Sequence, residues 1–283
     1  MQKITKNNGI VLDGLIIGKA SKSIAPTIYL NSYYMHFTHG MSLEEILEDI
    51  ISAYKENNDV VLGDMRALLD FNYLNDKVAF KLIQREKNKE LLKAVPYIEF
   101  LDLAVVFYLI LDEHKGGQMT ALIHNSHMES WGVGKEELYR LAEKNTPILL
   151  PPEIKTMKDV MRDFFRKNFE ELWVDNMLDD LLEFDLENPA LYVLSNRKYI
   201  NGAGCILYDE CLRNFAILQN TDIIILPSSV HETILVPDRD NLDYKELQSM
   251  VTEINLSEVP EEDILSNRIY KYSIHDCRIS LIV

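Results

Sequence analysis

Nine consecutive uncharged residues, 103–111, limit most strongly what this chain can fold into. All nine are apolar or aromatic, and β-branched or aromatic residues predominate. A helix needs about 20 such residues to cross a bilayer, so the run is too short for an anchor. Short apolar runs of this composition are typical of strands that are buried on both faces. We therefore expect a central strand here, surrounded by further strands and helices.

The periodicity on both sides of this run predicts the same order of elements twice. Each half has a strand, a helix, a strand, a strand and a helix, and the last helix of each half ends in an asparagine, Asn145 or Asn255. We predict an α+β protein in which two similar units of this kind follow a helical N-terminal region, although the arrangement is also common among unrelated proteins. The predicted elements are 78–83, 87–95, 103–112, 119–124 and 135–145 in the first half, and 190–195, 207–218, 222–226, 231–236 and 244–255 in the second, with a closing strand at 268–273.

The N-terminal region favours a hairpin followed by helices. Asp13-Gly14 is typical of a hairpin turn, and Gly40 is expected to end an aromatic helix. Ser42 and Glu45 have the spacing of a capping box, and apolar residues follow them at helical intervals. The acidic residues of this helix are expected to face solvent: Glu44, Glu45, Glu48 and Asp49.

An acidic amphipathic segment, residues 156–188, connects the two halves. Its apolar positions advance in steps of one, three or four and predict a helix, continuous or broken once. From 170 to 187 it carries eight acidic residues and no Lys or Arg. A solvated helix face is the simpler interpretation, and an acidic docking surface for a basic protein partner is the functional one. The partner-binding candidates are Asp179, Asp180 and Glu183.

These patterns predict four regions along the chain. The N-terminal hairpin and helical region is expected at 1–76, the first α+β unit at 77–155, the acidic connector at 156–188 and the second α+β unit at 189–283.

Charge and cysteine content bear on the cellular setting. The chain has 29 Lys and Arg against 45 Asp and Glu, a formal net charge of −16, which disfavours binding to nucleic acid or an anionic membrane. Its single basic cluster, at 77–93, is interleaved with acids and is expected to be solvated. Three cysteines without metal-ligand spacing indicate neither a disulfide framework nor a zinc site. We expect a cytoplasmic protein with no cofactor, and a homo-oligomer stays open.

The turn at residues 226–232 holds the sharpest candidates for chemistry. Ser228, Ser229, His231 and Glu232 place two hydroxyls, an imidazole and a carboxylate within five residues, between two predicted strands. Such a set could supply a nucleophile and a base, or a metal ligand, if partners converge from elsewhere. Neither a GxSxG nor an HExxH motif is present. A turn that starts with a proline and whose serines bond the backbone is the more ordinary interpretation.

Two further clusters are weaker candidates. His124 and His127, with an acid nearby, could bind a metal, but a helix start capped by Asn125 or Ser126 is the commoner meaning of this pattern. The small-residue turn at 201–204 precedes a predicted helix and could hold an anion on its backbone amides, although it lacks the motif of a phosphate-binding loop.

Seven short segments carry a family resemblance: NNG (7–9), PTIYLN (26–31), SLEEI (42–46), KNKELL (87–92), FLDLA (100–104), NTP (145–147) and LPSSVHE (226–232). Together they resemble an uncharacterised family of Clostridia-type gut bacteria, the domain of unknown function numbered 5688. The resemblance spans almost the full chain and implies a bacterial intracellular protein. It gives added weight to the 226–232 turn, but it implies no activity, cofactor or catalytic residue.

Two functions follow as hypotheses. The first is a non-enzymatic cytoplasmic interaction or regulatory protein that engages a protein partner through an acidic surface. The alternative is a hydrolase or metal-dependent enzyme centred on His231 and Glu232, with Ser228 or Ser229 as the hydroxyl. A cleft around His231 that contains a third polar group would favour the enzyme, whereas local pairing of the ring would weigh against it.

Overall fold

A computed structural model describes residues 1–17, 27–58, 70–114, 117–168, 191–227, 229–239 and 242–282. The chain divides into two compact units, Met1–Asn75 and Asp76–Val283. Three antiparallel sheets occur together with helices, which confirms the α+β class. Among the helices of these ranges, none combines the length and the apolar content that a membrane crossing requires.

The first unit pairs a three-stranded sheet with two longer helices. Its hairpin turn lies at Asn7–Gly9, where Asn8 and Gly9 both have positive φ, and not at Asp13-Gly14 as the sequence suggested. Gly14 lies inside a strand, at a position where a Cβ atom would overlap the side chains of Ile4 and Thr27. The elements are β1 (Gln2–Thr5), β2 (Val11–Ile16), β3 (Thr27–Tyr29), α1 (Leu30–Thr38), α2 (Leu43–Asn58) and α3 (Phe71–Leu74).

The second unit begins with a sheet built around the long apolar run. That run forms β6, which pairs with β4 on one side and with β5 and then β7 on the other. Residues 103–110 are all buried, so the sequence prediction of a central strand is confirmed. The elements are β4 (Val78–Gln84), α4 (Lys89–Leu92), β5 (Tyr97–Phe100), β6 (Leu103–His114), β7 (Gly117–Leu122), α5 (Asn125–Trp131) and α6 (Lys135–Leu149).

A six-stranded sheet in the order β13-β12-β10-β11-β9-β8 completes the second unit. Its β8 edge begins at Pro152, and Lys155 there lies between Glu153 and Asp163, with Nζ–O distances of 3.2 and 2.9 Å. A 3-10 helix, Gly202–Leu207, precedes α8, so the helix predicted at 207–218 begins later than expected. The elements are β8 (Pro152–Thr156), α7 (Met157–Asn168), β9 (Tyr192–Asn196), α8 (Cys211–Gln219), β10 (Ile223–Leu226), β11 (Thr233–Pro237), α9 (Tyr244–Ser257), β12 (Tyr270–Ser273) and β13 (Arg278–Leu281).

The two halves of this unit differ in strand order. The first strand of the first half, β4, pairs directly with β6, whereas the corresponding β9 pairs with β11 and is separated from β10. The two-unit repeat is therefore not confirmed. One parallel exists, because Asn145 and Asn255 are both buried and each donates its side-chain amide to a backbone carbonyl, that of Val78 or Ser266, at 3.2 and 2.9 Å.

Polar contacts join the two sheets of the second unit. Asp102, in the turn before β6, accepts hydrogen bonds from Ser266 Oγ at 2.6 Å and from Tyr270 Oη at 2.8 Å. The Tyr208 hydroxyl donates to the Leu150 carbonyl at 3.1 Å. The first two bonds hold the start of β12 against the turn before β6, and the third holds the end of the 3-10 helix against the end of α6.

The acidic connector is described only at its start. Thr156 Oγ1 accepts a hydrogen bond from the Asp159 backbone N–H at 3.1 Å and so caps α7, which follows. The partner-binding candidates of this segment, Asp179, Asp180 and Glu183, lie outside the described residues, as does Ser228.

Candidate functional site

Two turns that the sequence singled out separately contact each other. One follows β10 and contains Ser229 and His231, and the other follows β9 and leads into the 3-10 helix at Gly202. The Ala203 N–H donates to the Val230 carbonyl at 3.2 Å, and Ser195 Oγ donates to the His231 carbonyl at 2.7 Å. The two turns therefore form one local structure at neighbouring strand ends of the six-stranded sheet.

Asn196 organises the turn after β9. Its side chain is fully buried, and its Oδ1 accepts from the backbone N–H groups of Lys198 and Ile200 at 3.0 and 3.4 Å. Its Nδ2 donates to the Ile200 carbonyl at 2.7 Å. Tyr199 and Asn201 both have left-handed φ values, 54° and 53°. Such conformations cost about 1–2 kcal/mol in a non-glycine residue and persist only where surrounding contacts determine them.

Gly202 lies at the point where the two turns approach most closely. A Cβ atom there would overlap Ser195 Oγ and the His231 carbonyl oxygen, and it would lie 2.9 Å from the Asn196 nitrogen. Two of these three atoms belong to the backbone, which cannot move aside without disturbing the strands. The close approach therefore requires glycine.

Both ring nitrogens of His231 have local partners. The Asn201 backbone N–H donates to Nδ1 at 3.3 Å, and Nε2 lies 3.3 Å from Asp263 Oδ1. Because Nδ1 accepts a hydrogen bond, we assign the proton of the neutral ring to Nε2, which donates to the Asp263 carboxylate. The Asp263 carbonyl also accepts from the Val230 N–H at 2.8 Å. The imidazole thus connects three chain segments.

Ser229 and Glu232 differ in their contacts: the Ser229 side chain helps to close the 226–232 turn, whereas the Glu232 carboxylate does not. Ser229 Oγ accepts from the His231 N–H at 3.1 Å, and the Ser229 N–H donates to the Glu232 carbonyl at 3.2 Å, which closes the turn. Glu232 is half-buried, and within the described ranges its carboxylate has no hydrogen-bond partner. Burial raises the pKa of Glu232, while the neighbouring His231 opposes that shift.

This arrangement does not form a nucleophile and base pair among the described residues. A hydroxyl nucleophile needs an imidazole nitrogen free to take its proton. Here the Nδ1 lone pair already accepts a backbone N–H, and Ser229 Oγ bonds the His231 backbone. The local pairing of the ring is the outcome that weighs against catalysis. The geometry defines a structural contact between the two turns, which we call the brace. It is formed by Ser195, Asn196, Asn201, Gly202, His231 and Asp263. Glu232, next to the brace, is an acid whose pKa is raised.

His124 and His127 begin a helix. The His124 backbone N–H donates to His127 Nδ1 at 3.0 Å across the first turn of α5, so His124 is the N-cap in place of the expected Asn125 or Ser126. The His127 ring stacks on Trp131 at 5.4 Å. Burial and the neighbouring His124 lower the pKa of His127. In the part of the chain that the structure describes, no group of three or more His, Cys, Asp or Glu side chains has the geometry of a metal site.

Three residues of the brace carry no motif in the sequence. Ser195 and Asn196 end β9, where a polar pair after an apolar strand was the available signal. Asp263 lies 32 positions after His231 in an irregular segment, and no spacing rule connects the two. Only the fold brings Asp263 to the imidazole.

An antiparallel α+β fold and a pair of interlocked turns therefore characterise the described structure. A family model matches residues 1–274, and its description is a family of unknown function, DUF5688. The chain belongs to this family, as the seven segments suggested. Searches of curated proteins and of solved structures find no match.

Proposed function

We propose that this chain is a cytoplasmic, non-enzymatic interaction or regulatory protein that binds a protein partner through helix α2. The observation that carries the proposal is an apolar stripe exposed on that helix. Leu43, Leu47 and Ile51 are spaced by four residues and are 62%, 49% and 49% exposed. Residues with this spacing lie on one face of a helix, so the three side chains form a continuous ridge.

The ridge is distinct from the face by which α2 packs. Ile46 is 5% exposed. Each residue advances the helix by about 100°, so Ile46 and Ile51 lie at opposite borders of the arc that the apolar side chains of α2 cover. The wide apolar arc of α2 is therefore buried along one border and open along the other. An open apolar border rimmed by polar residues is typical of a surface that binds another protein.

The small size of the first unit supports the same conclusion. Among its described residues, the buried hydrophobic side chains are Ile28, Ile46 and Leu74. Small units bury a low fraction of their surface and are only marginally stable unless something further covers their apolar residues. Burial of three large aliphatic side chains contributes about 1.5–3 kcal/mol each at most, so a partner on the ridge would stabilise the unit appreciably.

The acidic residues predicted to bind a partner stay part of this proposal. Asp179, Asp180 and Glu183 would extend an acidic surface, and reversing their charges is expected to weaken partner binding. Their contribution is separate from that of α2 and is tested with its own variant.

Native mass spectrometry on the tagged chain, recovered gently from a bacterium that carries it, tests the proposal. The test variant is L43S/L47S/I51S, and the control is I217S/L218S, which removes two exposed apolar residues from α8. We expect a partner mass with the wild type and the control and its loss with the test variant. Retention of the same partner by the test variant, or a bare chain in all three samples, would overturn the proposal.

A hydrolase or metal-dependent enzyme is the second candidate, and Glu232 is the observation that favours it. A half-buried carboxyl with a raised pKa and no hydrogen-bond partner in the described residues has the character of a general acid. A bound metal or metabolite in the same spectra that is lost in Glu232→Gln would favour this candidate. Spectra of the wild type that contain protein partners alone would count against it.

A further inference from the structure

We infer that the segment that binds the α2 ridge is an amphipathic helix with Lys or Arg beside its apolar stripe, and not a second copy of this chain. The inference rests on the proposed function and specifies the chemistry of the partner.

The border of the ridge is acidic and its carboxylates are available. Glu44 and Glu48 each follow a ridge residue by one position, so both lie along the same side of the ridge. Within the described ranges neither carboxylate has a hydrogen bond or an ion pair. Glu45 differs, because its carboxylate accepts from the Ser42 N–H at 2.8 Å and from Ser42 Oγ at 2.7 Å, and these bonds lower its pKa. Glu45 is thus occupied as a cap, while Glu44 and Glu48 can bind cations.

The dimensions of the ridge suit a helix. From Leu43 to Ile51 the helix rises about 12 Å, or a little more than two turns. A partner helix of three or more turns would lay residues at i, i+4 and i+7 against the ridge, which is the usual pattern of helix recognition in an apolar groove or face. Lys or Arg one position beyond those residues would then lie opposite Glu44 and Glu48.

The net charge of the chain disfavours a second copy as the partner. Four of the six basic residues in the cluster at 77–93 are ion-paired within the same molecule. Its ion pairs are Arg85–Glu99 at 2.6 Å, Lys87–Glu261 at 3.6 Å, Lys89–Glu86 and Lys93–Glu90 at 2.7 Å. With a net charge of −16, two copies also repel each other. A cationic partner avoids this repulsion.

Two synthetic helical peptides of equal length and identical Leu stripe provide the probes. One carries Lys at the flanking positions and the other carries Glu, and binding to the full chain is measured by fluorescence anisotropy at two salt concentrations. The charge variant is E44K/E48K. Its control is E253K/E258K, which makes the same change of charge on α9 and at its C-cap, beside exposed apolar side chains of that helix.

We expect the Lys peptide to bind the wild type and the control at least tenfold more tightly than the Glu peptide does. E44K/E48K should weaken binding of the Lys peptide by about 3- to 30-fold, since exposed ion pairs contribute about 0.2–1 kcal/mol each and the reversal adds repulsion. Raising the salt concentration should weaken the wild-type complex more than the E44K/E48K complex.

Three outcomes would overturn the inference, and they are separable from failure of the proposed function. Equal binding of the two peptides, or an equal effect of E253K/E258K, would show that the cations do not recognise the α2 border. Self-association that is lost in L43S/L47S/I51S, measured by analytical ultracentrifugation, would show that a second copy covers the ridge. In each case the native mass spectra of that triple variant still decide whether the ridge binds a protein at all.

Discussion

Adding a single methyl group at Gly202 is expected to lower the free energy of unfolding strongly. In Gly202→Ala the added methyl group must displace Ser195 Oγ and the His231 carbonyl. Overpacking of this kind costs typically 1–3 kcal/mol, and the involvement of backbone atoms places the expected loss near 3 kcal/mol. The free energy of unfolding in urea, followed by circular dichroism, measures it.

Gly134→Ala is the matched control for that substitution. A Cβ atom at Gly134 meets only Glu136 Oε2 at 3.5 Å, and its φ of −93° is ordinary. We expect a change of less than about 1 kcal/mol. Equal losses in the two variants would show that the interlocked turns tolerate a side chain.

The ionisation of Glu232 predicts a pH-dependent stability difference. The pKa of Glu232 is higher in the folded chain than in the unfolded chain. Between these two pKa values the native state therefore binds more protons than the unfolded state. Stability falls as pH rises through this range. Glu232→Gln removes this loss. The variant should therefore gain stability relative to the wild type at pH 7 and show a smaller gain, or none, at pH 4.

Glu253→Gln serves as the reference, because Glu253 is exposed on α9. Urea unfolding of the three proteins at both pH values gives the comparison. A gain for Glu232→Gln that is the same at pH 4 and pH 7 would contradict the assignment of burial as the cause.

At the scale of elements, the start of α9 is held by a side-chain cap. Asp243 Oδ1 accepts from the backbone N–H groups of Lys245 and Glu246 at 2.8 and 3.2 Å. Loss of such a cap costs about 1 kcal/mol, so Asp243→Ala should lower the free energy of unfolding by that amount. Asp243→Asn keeps an acceptor and should cost little. If Asn and Ala lowered stability equally, the cap would not be the cause.

How far the elements could be predicted depended on their length and on their local signals. The uncharged run predicted β6, and the Ser42 and Glu45 pattern predicted α2, because both signals are contained in a few neighbouring residues. The strands β5, β8 and β13 have four or five residues and little periodicity, so they carried no usable signal. Gly14 was wrongly assigned to a turn. A glycine is needed there because the Ile4 and Thr27 side chains approach closely, and both lie in other strands, so the neighbouring sequence gives no sign of them.

The candidate site shows the same limit. The sequence located the 226–232 turn and the 201–204 turn, since clustered hydroxyls, glycines and a histidine are local features. It could not show that the turns contact each other, or that Asp263 binds the imidazole, because strand pairing decides both. Pairing also decides that His231 has no free nitrogen, which changes the chemistry that its motif first indicated.

In the molecule as a whole, Asp102 accepts hydrogen bonds that connect the two sheets of the second unit. Tyr270 is fully buried and donates its hydroxyl to this carboxylate. Hydrogen bonds to charged groups contribute about 1.5–3 kcal/mol, so Tyr270→Phe should lower the free energy of unfolding by about 2 kcal/mol.

Tyr97→Phe is the control at this scale, because in the described ranges the Tyr97 hydroxyl has no hydrogen-bond partner. We expect its stability to stay within about 0.5 kcal/mol of the wild type. A loss in Tyr270→Phe no larger than that of Tyr97→Phe would show that the bond to Asp102 does not hold the sheets together.

The β8 edge of the six-stranded sheet has a consequence for behaviour at high concentration. An open sheet edge normally recruits strands from other molecules and is a starting point for fibrils. Pro152 offers no N–H to such a strand, and the charged Lys155, with its carboxylates on β8 and α7, would have to lose water and partners. This margin of the molecule therefore resists pairing with a strand of a second copy, so copies of the chain are not expected to join through β8 at high concentration.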